Sequence, residues 1–524
     1  MSRMPGSIIC LKRSRALLPA LALLSATVAP AIAPAAEADA QASARATGYS
    51  VINLGPNDSS GVLNERGEVA FTSPGLDAAG NAVTRLRFFD GRRVRDHASF
   101  TDTSVQLTGL NELGTAVGRI GPAAGTAPPA PRAFTWNAAR GLRVLPGPVP
   151  AGANAVNNLN RVVGAVGTPG DSVRAVLWNH SGARIDLGPV PPFRSEAFAI
   201  NLFGVAAGGV IGSDGISHAT LWHPAGGSLD LGGLAPFDST TASHINLRGD
   251  VAGSLNRQTQ RFGFYWSRER GMLLIRSDTG RSLSVVALND LGDVAGNLTV
   301  SEAQRFFGPY IWSARDGYRA LPLGGAPSGN LYGLNNWRTM VGDLQPSIQD
   351  LSLRRATLWQ DTSGPVDLNT RLYRAPAGLV LASARAVNDR GDILVDSNAG
   401  LVLLRPGRQG TAAPVLGPIT GIPSNPVATR GSTVDLAVGF VDSEVHETHT
   451  ASASVSDGCP QTAPSLREVR GAGEVNLRHT VCRAGAFRVR VRVADGAGNA
   501  SEVTAVLFVR EPAATTQPGA ATSP

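Results

Sequence analysis

Apolar and polar positions alternate in short runs along most of this chain, and the runs recur with a long period. A hydrophobic residue followed by Asn, two variable residues and usually Gly appears eight times, at intervals of 43 to 53 residues. Each unit contains further apolar segments of strand length, separated by Gly-rich turns. Such a period predicts a β-propeller, in which every unit forms one blade. The repeated Asn occupies Asn64, Asn111, Asn157, Asn201, Asn246, Asn289, Asn335 and Asn388.

The Asn-x-x-Gly element predicts a tight hairpin turn within each unit. The Asn side chain can bond to backbone two residues on, and Gly accepts a positive φ at little cost. Gly is replaced by Asn160 in the third unit and by Arg338 in the seventh. Asn adopts the left-handed conformation readily, whereas Arg338 makes its turn atypical.

A second repeated position is a large aromatic residue at the end of the third strand, 20 to 25 residues after the Asn of most units. We expect these indoles to pack between adjacent blades, where each buries roughly 150 to 250 Å². The alternative is a ring of exposed aromatic residues that stack on sugars. Phe89 and Leu404 take the position in the first and eighth units. The other units carry Trp136, Trp178, Trp222, Trp266, Trp312 and Trp359.

The two ends of the repeat region complement each other. The segment 49–55 resembles the last strand of a unit without the three strands that precede it, and the eighth unit stops near Pro406 without a last strand. An N-terminal strand that completes the final blade would close the ring and remove two exposed sheet edges. We therefore predict an all-β fold with an eight-bladed β-propeller over 48–408, with seven blades as the alternative.

The repeat resembles the HAF family of extracellular repeat proteins. The pattern A-x-x-I-N-x-x-G-x-V-A-G, followed by A-x-L-W and D-L-G, is cleanest at Ala199-Ile200-Asn201, Gly208, Trp222 and Asp230-Leu231-Gly232. The likeness covers roughly 49–408. It implies a secreted bacterial protein and provides no catalytic residue.

The N-terminal 40 residues have the features of a Sec signal peptide. Arg3, Lys12, Arg13 and Arg15 precede an apolar stretch over 16–28, and small residues follow. This stretch is short for a membrane span, and no later segment is long enough. We expect cleavage between Ala35 and Ala40 and a secreted, periplasmic or extracellular, chain without a membrane span.

Charge excludes one class of partner. The formal net charge is +7, but removal of residues 1–36 leaves 43 basic and 40 acidic residues. No basic run interleaved with aromatic residues appears. We expect no nucleic acid partner, and a monomer whose partner is an extracellular or cell-surface protein or a glycan.

A composition change after residue 408 predicts a second domain. Residues 409–426, rich in Pro, Gly, Thr and Ala, read as a linker, and alternating strands over 427–510 predict a small Ig-like β-sandwich. This region resembles a PKD-type domain, although Ser454-Val455-Ser456 stands where that family has an aromatic residue. Cys459 and Cys482 lie 23 residues apart and predict a disulfide in an exported chain. Residues 511–524 read as a disordered tail.

Candidate chemistry is sparse. His446-Glu447-Thr448-His449 has the wrong spacing for a helical zinc site, which needs His at i and i+4. Asp442, Asp457 and Asp495 could bind Ca²⁺ at one end of the sandwich, but turn and capping roles are the favoured interpretation. We assign no catalytic, cofactor-binding or metal residue and expect no cofactor.

Two functional hypotheses remain. The favoured one is a secreted, non-catalytic binding or surface scaffold, in which propeller loops present a ligand or partner site and the Ig-like domain is a spacer or adhesion module. The alternative is an exported carbohydrate-active lyase or hydrolase with polar side chains at one mouth of the channel. In either case the variable connections 121–132, 212–218, 298–307 and 344–355 would carry specificity.

Overall fold

Repeated four-stranded antiparallel sheets make up most of the chain. The computed structural model describes residues 48–512 except 57–60, 78–80, 102, 123–129, 169–171, 189–193, 302–305, 348, 361–363, 374, 408–412, 424–426, 443–447, 470–471 and 497. The predicted signal peptide and residues 513–524 of the predicted tail lie outside these described residues. No helix in the described part has the length and apolarity that a membrane span requires.

Eight of these sheets lie between residues 49 and 406 and are the blades of a β-propeller. Residues of adjacent blades share buried clusters, so each blade packs on the next. The first seven blades consist of β2 Gly61–Leu63, β3 Val69–Leu76, β4 Ala82–Phe89 and β5 Val94–Thr101; β6 Thr103–Leu110, β7 Thr115–Pro122, β8 Arg132–Asn137 and β9 Gly141–Val144; β10 Ala151–Val156, β11 Val162–Thr168, β12 Ser172–Trp178 and β13 Arg184–Asp186; β14 Arg194–Ile200, β15 Ala206–Ile211, β16 Ser217–Trp222 and β17 Ser228–Asp230; β18 Ser239–Ile245, β19 Val251–Arg257, β20 Gln260–Ser267 and β21 Gly271–Ile275; β22 Leu283–Leu288, β23 Val294–Ser301, β24 Phe306–Ser313 and β25 Gly317–Ala320; β26 Ser328–Leu334, β27 Thr339–Gln345, β28 Arg355–Gln360 and β29 Val366–Asp367.

The eighth blade is mixed, as the sequence predicts. It contains β30 Leu381–Val387, β31 Ile393–Ser397 and β32 Gly400–Pro406, and the N-terminal strand β1 Tyr49–Gly55 is its outermost strand. β1 runs antiparallel to β32, with Val51 opposite Leu404. Because buried residues of the eighth and first blades form one cluster, the ring is closed by apolar packing as well as by this strand.

A β-bulge in the first strand explains the Gly of the Val-Ala-Gly motif. In the second to seventh blades the pairing of the first two strands shifts by one residue. The bulge brings a carbonyl of the first strand against the Gly of the second. A Cβ atom on Gly118 of β7 would lie 1.9 Å from the Gln106 carbonyl oxygen, and one on Gly208 of β15 would lie 1.9 Å from that of Glu196. In these six blades only Gly fits at this position, whereas the eighth blade, whose pairing shifts there and once more nearby, has Val395.

The C-terminal region is a β-sandwich of two four-stranded sheets, with strand orders β33-β35-β38-β37 and β34-β40-β39-β36. Buried residues of both sheets form common clusters. The strands are β33 Val415–Leu416, β34 Ala428–Thr429, β35 Thr433–Val441, β36 Thr450–Val455, β37 Ser465–Val469, β38 Ala472–Thr480, β39 Gly485–Ala494 and β40 Ala500–Arg510.

Part of the predicted linker belongs to this sandwich. Val415–Leu416 pairs with the end of β35, so residues 409–426 are not only a connection. Val415 and Val441 also pack in the cluster that contains Tyr49 of the eighth blade. The Asn53 amide donates to the Leu416 carbonyl at 3.3 Å. The sandwich is therefore docked on the eighth blade through its first strand.

Candidate functional site: the asparagine ring and the channel mouth

The eight repeated Asn residues form a continuous ring of hydrogen bonds around the channel. All eight are buried, with 2 to 6% of their surface exposed. The side-chain amide of each donates to the backbone carbonyl of the Asn in the next blade, at 2.8 to 3.3 Å. Asn388 donates to Asn64 at 3.0 Å and closes the ring. Each bond joins two blades, so the ring links every blade to its neighbours independently of the apolar packing.

The other side of each Asn amide organises its own turn. The Asn289 side-chain oxygen accepts from the backbone N–H groups of Leu291, at 3.1 Å, and Asp293, at 2.8 Å. Its amide also donates to the Asp293 carboxylate at 2.9 Å. With all these partners the buried amide is fully satisfied, which avoids the cost of an unpaired polar group.

The fourth position of every turn has a positive φ, including the two without Gly. Asn160 has φ 55° and Arg338 has φ 57°. The Arg338 guanidinium bonds to the Asp293 carboxylate of the preceding blade through two nitrogens, at 2.5 and 2.9 Å. This bidentate contact offsets the backbone strain at Arg338 and adds another link between blades.

The repeated indoles lie at blade contacts. Trp178 and Trp359 are fully buried and donate to the carbonyls of Pro146 and Pro322 in the preceding blade, at 2.8 and 2.9 Å. Trp136 lies 4.6 Å from the His97 ring of the first blade, and Trp312 contacts Tyr265 of the fifth. Trp222 is also buried, and Trp266 is half-buried. None of the six is placed as an exposed stacking surface.

A cavity of about 370 Å³ opens at the mouth of the channel on the side of the Asn turns. Its rim is formed by the residue that follows each repeated Asn. Six of these eight residues carry a carboxylate or an amide, and two are leucines that stand next to each other. The rim residues are Glu65, Glu112, Asn158, Leu202, Leu247, Asp290, Asn336 and Asp389.

The polar rim residues form a second, incomplete ring of hydrogen bonds. Each side chain accepts the backbone N–H of the rim residue in the preceding blade: Glu65 accepts from Asp389 at 2.7 Å, and Glu112 accepts from Glu65 at 3.0 Å. The same contact is made by Asn158, Asp290, Asn336 and Asp389. The ring is interrupted at Leu202 and Leu247, which are 37% and 46% exposed. The mouth is therefore acidic on one side and apolar on the other.

Glu65 at this mouth has a raised pKa. Desolvation within the rim raises its pKa to about 7, with the negative charges of Asp389 and Glu112 adding to the rise and the hydrogen bond from the Asp389 N–H opposing it. The side chain is nevertheless exposed at the channel opening, so it remains accessible to a ligand. A carboxyl group that is half-protonated near neutral pH can exchange a proton, which is the property of a general acid or base.

Comparison with known proteins shows no family for this chain. No family model matches the sequence, and no curated protein matches it. Solved structures with some likeness include virginiamycin B lyase from Staphylococcus aureus, at 9% identity and a TM-score of 0.36, covering 58% of this chain and 99% of that one. TolB from Acinetobacter baumannii has 10% identity and a TM-score of 0.28, covering 41% of this chain and 53% of that one. The extracellular domain of BT4673 from B. thetaiotaomicron has 8% identity and a TM-score of 0.22, covering 89% and 98%. At these values the likeness carries no inference about activity.

In the sandwich, Asp457 and Asp495, two of the candidate Ca²⁺ ligands, bond to neighbouring protein groups. Cys459 and Cys482 are joined by a disulfide, so Cys459 offers no free thiolate beside Asp457 and His479. Asp457 caps the Cys459 N–H and bonds to the buried His479, and Asp495 bonds to Asn499. Turn and capping roles account for both carboxylates.

His446 and Glu447 of the His-Glu-Thr-His segment lie outside the described residues, and His449 is held by two carboxylates. Its ring bonds to Glu468 at 2.8 Å and to Asp442 at 3.0 Å. Burial opposes the charged form, but the two carboxylates outweigh it and raise the pKa of His449. The buried His449 is thus enclosed by structural partners.

The variable connections lie at the opposite end of the propeller from the Asn turns, because they join the second strand of a blade to the third. Residues 123–129, 302–305 and 348 within them are outside the described part.

The sequence alone does not identify the rim residues of the channel mouth. The sequence does carry a pattern for them, since Asp, Glu or Asn directly follows the repeated Asn in six of the eight units. This pattern indicates a site only when the Asn turns are known to meet at one mouth of the channel.

Proposed function

We propose that this chain is a secreted, non-catalytic binding or surface scaffold. The propeller supplies a rigid ring that presents a ligand or partner site to an extracellular or cell-surface protein or glycan. The C-terminal domain, which packs against the eighth blade, acts as a spacer or adhesion module. The signal-like N-terminus and the resemblance of the repeats to HAF proteins and of the sandwich to PKD-type domains support this proposal.

One observation carries the choice of a scaffold over an enzyme. The carboxylates at the channel mouth, where a propeller enzyme could hold its catalytic groups, accept backbone hydrogen bonds from the neighbouring blade. Such bonds fix the position of a carboxylate. The main role of these side chains is therefore to bond adjacent blades to each other. A rigid ring of blades is suited to presenting a binding surface.

A carbohydrate-active hydrolase is the second candidate, and Glu65 is the observation that favours it. A carboxyl with a pKa of about 7 beside two further carboxylates is the arrangement that glycoside hydrolysis uses for its general acid. On this hypothesis the substrate would enter the channel mouth and contact Leu202 and Leu247 on the apolar side.

A glycan array on the chain from residue 41, with a parallel assay for reducing or unsaturated ends, separates the two candidates. We expect binding without release of ends. The variant Glu65→Gln keeps an oxygen that can accept the Asp389 N–H, so it removes the titrating group without opening the ring. Release of ends by the wild-type chain that disappears in Glu65→Gln, with binding retained, would establish the hydrolase and overturn the scaffold.

A further inference from the structure

A cavity of about 1080 Å³ lies between the propeller and the sandwich, and arginines line both of its walls. The propeller contributes Arg85 and Arg87 from β4, Arg92 and Arg93 from the turn after β4, and Arg405 from β32. This volume slightly exceeds the range of small-molecule sites, about 300–1,000 Å³, so the cavity can accept more than a single small ion.

The sandwich wall is a row of three arginines on β39. Arg488, Arg490 and Arg492 alternate with valines that are buried in the sandwich core, so the three guanidinium groups project from the outer face of the sheet. Alternate residues of a strand are about 7 Å apart. The wall therefore offers positive charges at regular intervals along one line.

Few carboxylates neutralise this cavity. Asp392, from outside the lining, bonds to Arg405 at 3.2 Å. Within the lining, Asp96 bonds to both Arg85, at 3.0 Å, and Arg87, at 2.8 Å, and Glu502 bonds to Arg490 at 3.3 Å. These two are the acidic residues among those that line the cavity. Within the described part of the chain, Arg92, Arg93, Arg488 and Arg492 form no ion pair with a carboxylate.

The two walls are close enough to repel each other. Burial lowers the pKa of Arg488, and the positive charges of Arg85 on the opposite wall and Arg490 beside it lower it further. Uncompensated like charges facing one cavity cost free energy, which a bound polyanion would relieve. Guanidinium groups also match carboxylate and sulfate oxygens with paired donors.

The shape and lining of the cavity favour a sugar polymer over a nucleic acid. Proteins that bind single-stranded nucleic acid stack its bases on aromatic side chains. The aromatic residue among the described lining is Phe89, which is only 2% exposed. A regular row of charges without a stacking surface suits a chain that carries anionic groups at intervals and has no bases.

We propose that this interdomain cleft binds a segment of an acidic polysaccharide, whose carboxylate or sulfate groups bridge the arginines of the propeller and of β39. The inference rests on the proposed binding function and names the ligand class of a second site, separate from the channel mouth. It also gives the docked sandwich a role, since neither wall alone encloses the ligand.

The test is equilibrium binding of polygalacturonate and of heparin to the full secreted chain and to Arg488→Thr/Arg490→Thr/Arg492→Thr. Thr suits an exposed strand position. We expect the affinity to fall at least tenfold, which corresponds to the loss of about 1.4 kcal/mol. The control Arg467→Thr/Arg478→Thr/Arg483→Thr removes the same charge from exposed positions outside the cleft and should change the affinity less than about threefold. The two polymers show whether carboxylates suffice or sulfates are needed.

A second variant keeps the proposal testable if the triple variant does not fold. Asp96→Asn frees Arg85 and Arg87 from their shared carboxylate and should tighten binding about two- to fivefold. Equal losses in the two triple variants, no tightening in Asp96→Asn, or tighter binding of a single-stranded oligonucleotide of matched charge would overturn the cleft proposal. Turnover of a bound polymer would instead overturn the non-catalytic function while leaving the cleft in place.

Discussion

At the residue scale, one Asn amide per blade joins each blade to the next. The sequence predicts the local half of its role, because the bond to backbone two residues on and the positive φ of the fourth residue depend only on the turn. The bond to the next blade could not be predicted. It requires the Asn carbonyl of one unit to lie within 3.3 Å of the amide of another, which depends on ring size and blade tilt.

Replacing one ring Asn should destabilise the propeller. Asn289→Ala removes the donor to Asn335 and leaves the N–H groups of Leu291 and Asp293 without an acceptor. We expect the free energy of unfolding, measured by urea denaturation, to fall by about 2–4 kcal/mol. Asn81→Ala, at an exposed hairpin position, is the control and should cost less than about 1 kcal/mol. Equal costs in the two variants would argue against a structural role of the ring.

The acidity of Glu65 predicts a pH dependence of stability. Its carboxyl has an ordinary pKa of 4.5 when it is fully solvated, as in the unfolded chain, and a pKa of about 7 in the folded protein, so the folded state holds the proton over that window. The stability that this group contributes is present below about pH 4.5 and is lost as the pH rises to about 7. Glu65→Gln should therefore gain melting temperature relative to wild type between these pH values, measured by thermal unfolding. Glu474→Gln, an exposed change on β38, controls for the loss of one charge. A constant difference across the window would contradict the raised pKa.

At the element scale, the strand pattern is what the sequence predicts best. The repeated spacing identifies each blade, and the missing last strand of the eighth unit identifies β1 as its partner. The sequence does not predict the two-residue strand β33, because Val415–Leu416 is too short to show alternation and its pairing depends on β35. The sequence also does not predict the bulge in the first strand, although the Gly of the Val-Ala-Gly motif is required by it.

Substituting two glycines of β7 by Ala distinguishes the steric effect of the bulge from the general effect of adding a methyl group. In Gly118→Ala the new Cβ would meet the Gln106 carbonyl oxygen at 1.9 Å, whereas in Gly121→Ala its nearest neighbour is a Pro131 side-chain atom at 3.6 Å. We expect Gly118→Ala to lose about 2–4 kcal/mol of unfolding free energy and Gly121→Ala to change it by less than about 1 kcal/mol, measured by chemical denaturation. Comparable losses would mean that the bulge does not restrict this position.

At the scale of the whole molecule, candidate sites arise where distant segments converge. The rim of the channel mouth takes one residue from each of eight blades. The interdomain cleft combines β4 with β32 and β39, which come much later in the chain. The alternating arginines of β39 are visible in the sequence, but a row of charges on a strand usually faces solvent. Only the docking of the sandwich on the eighth blade places them opposite a second basic wall.

Binding and turnover of polygalacturonate, measured in the same sample of the purified chain from residue 41, test whether this protein is a scaffold or an enzyme. We expect saturable binding that Arg488→Thr/Arg490→Thr/Arg492→Thr weakens at least tenfold, a change of about 1.4 kcal/mol, with no release of reducing or unsaturated ends. Release of ends that Glu65→Gln abolishes would contradict the central claim and make the channel mouth a catalytic site.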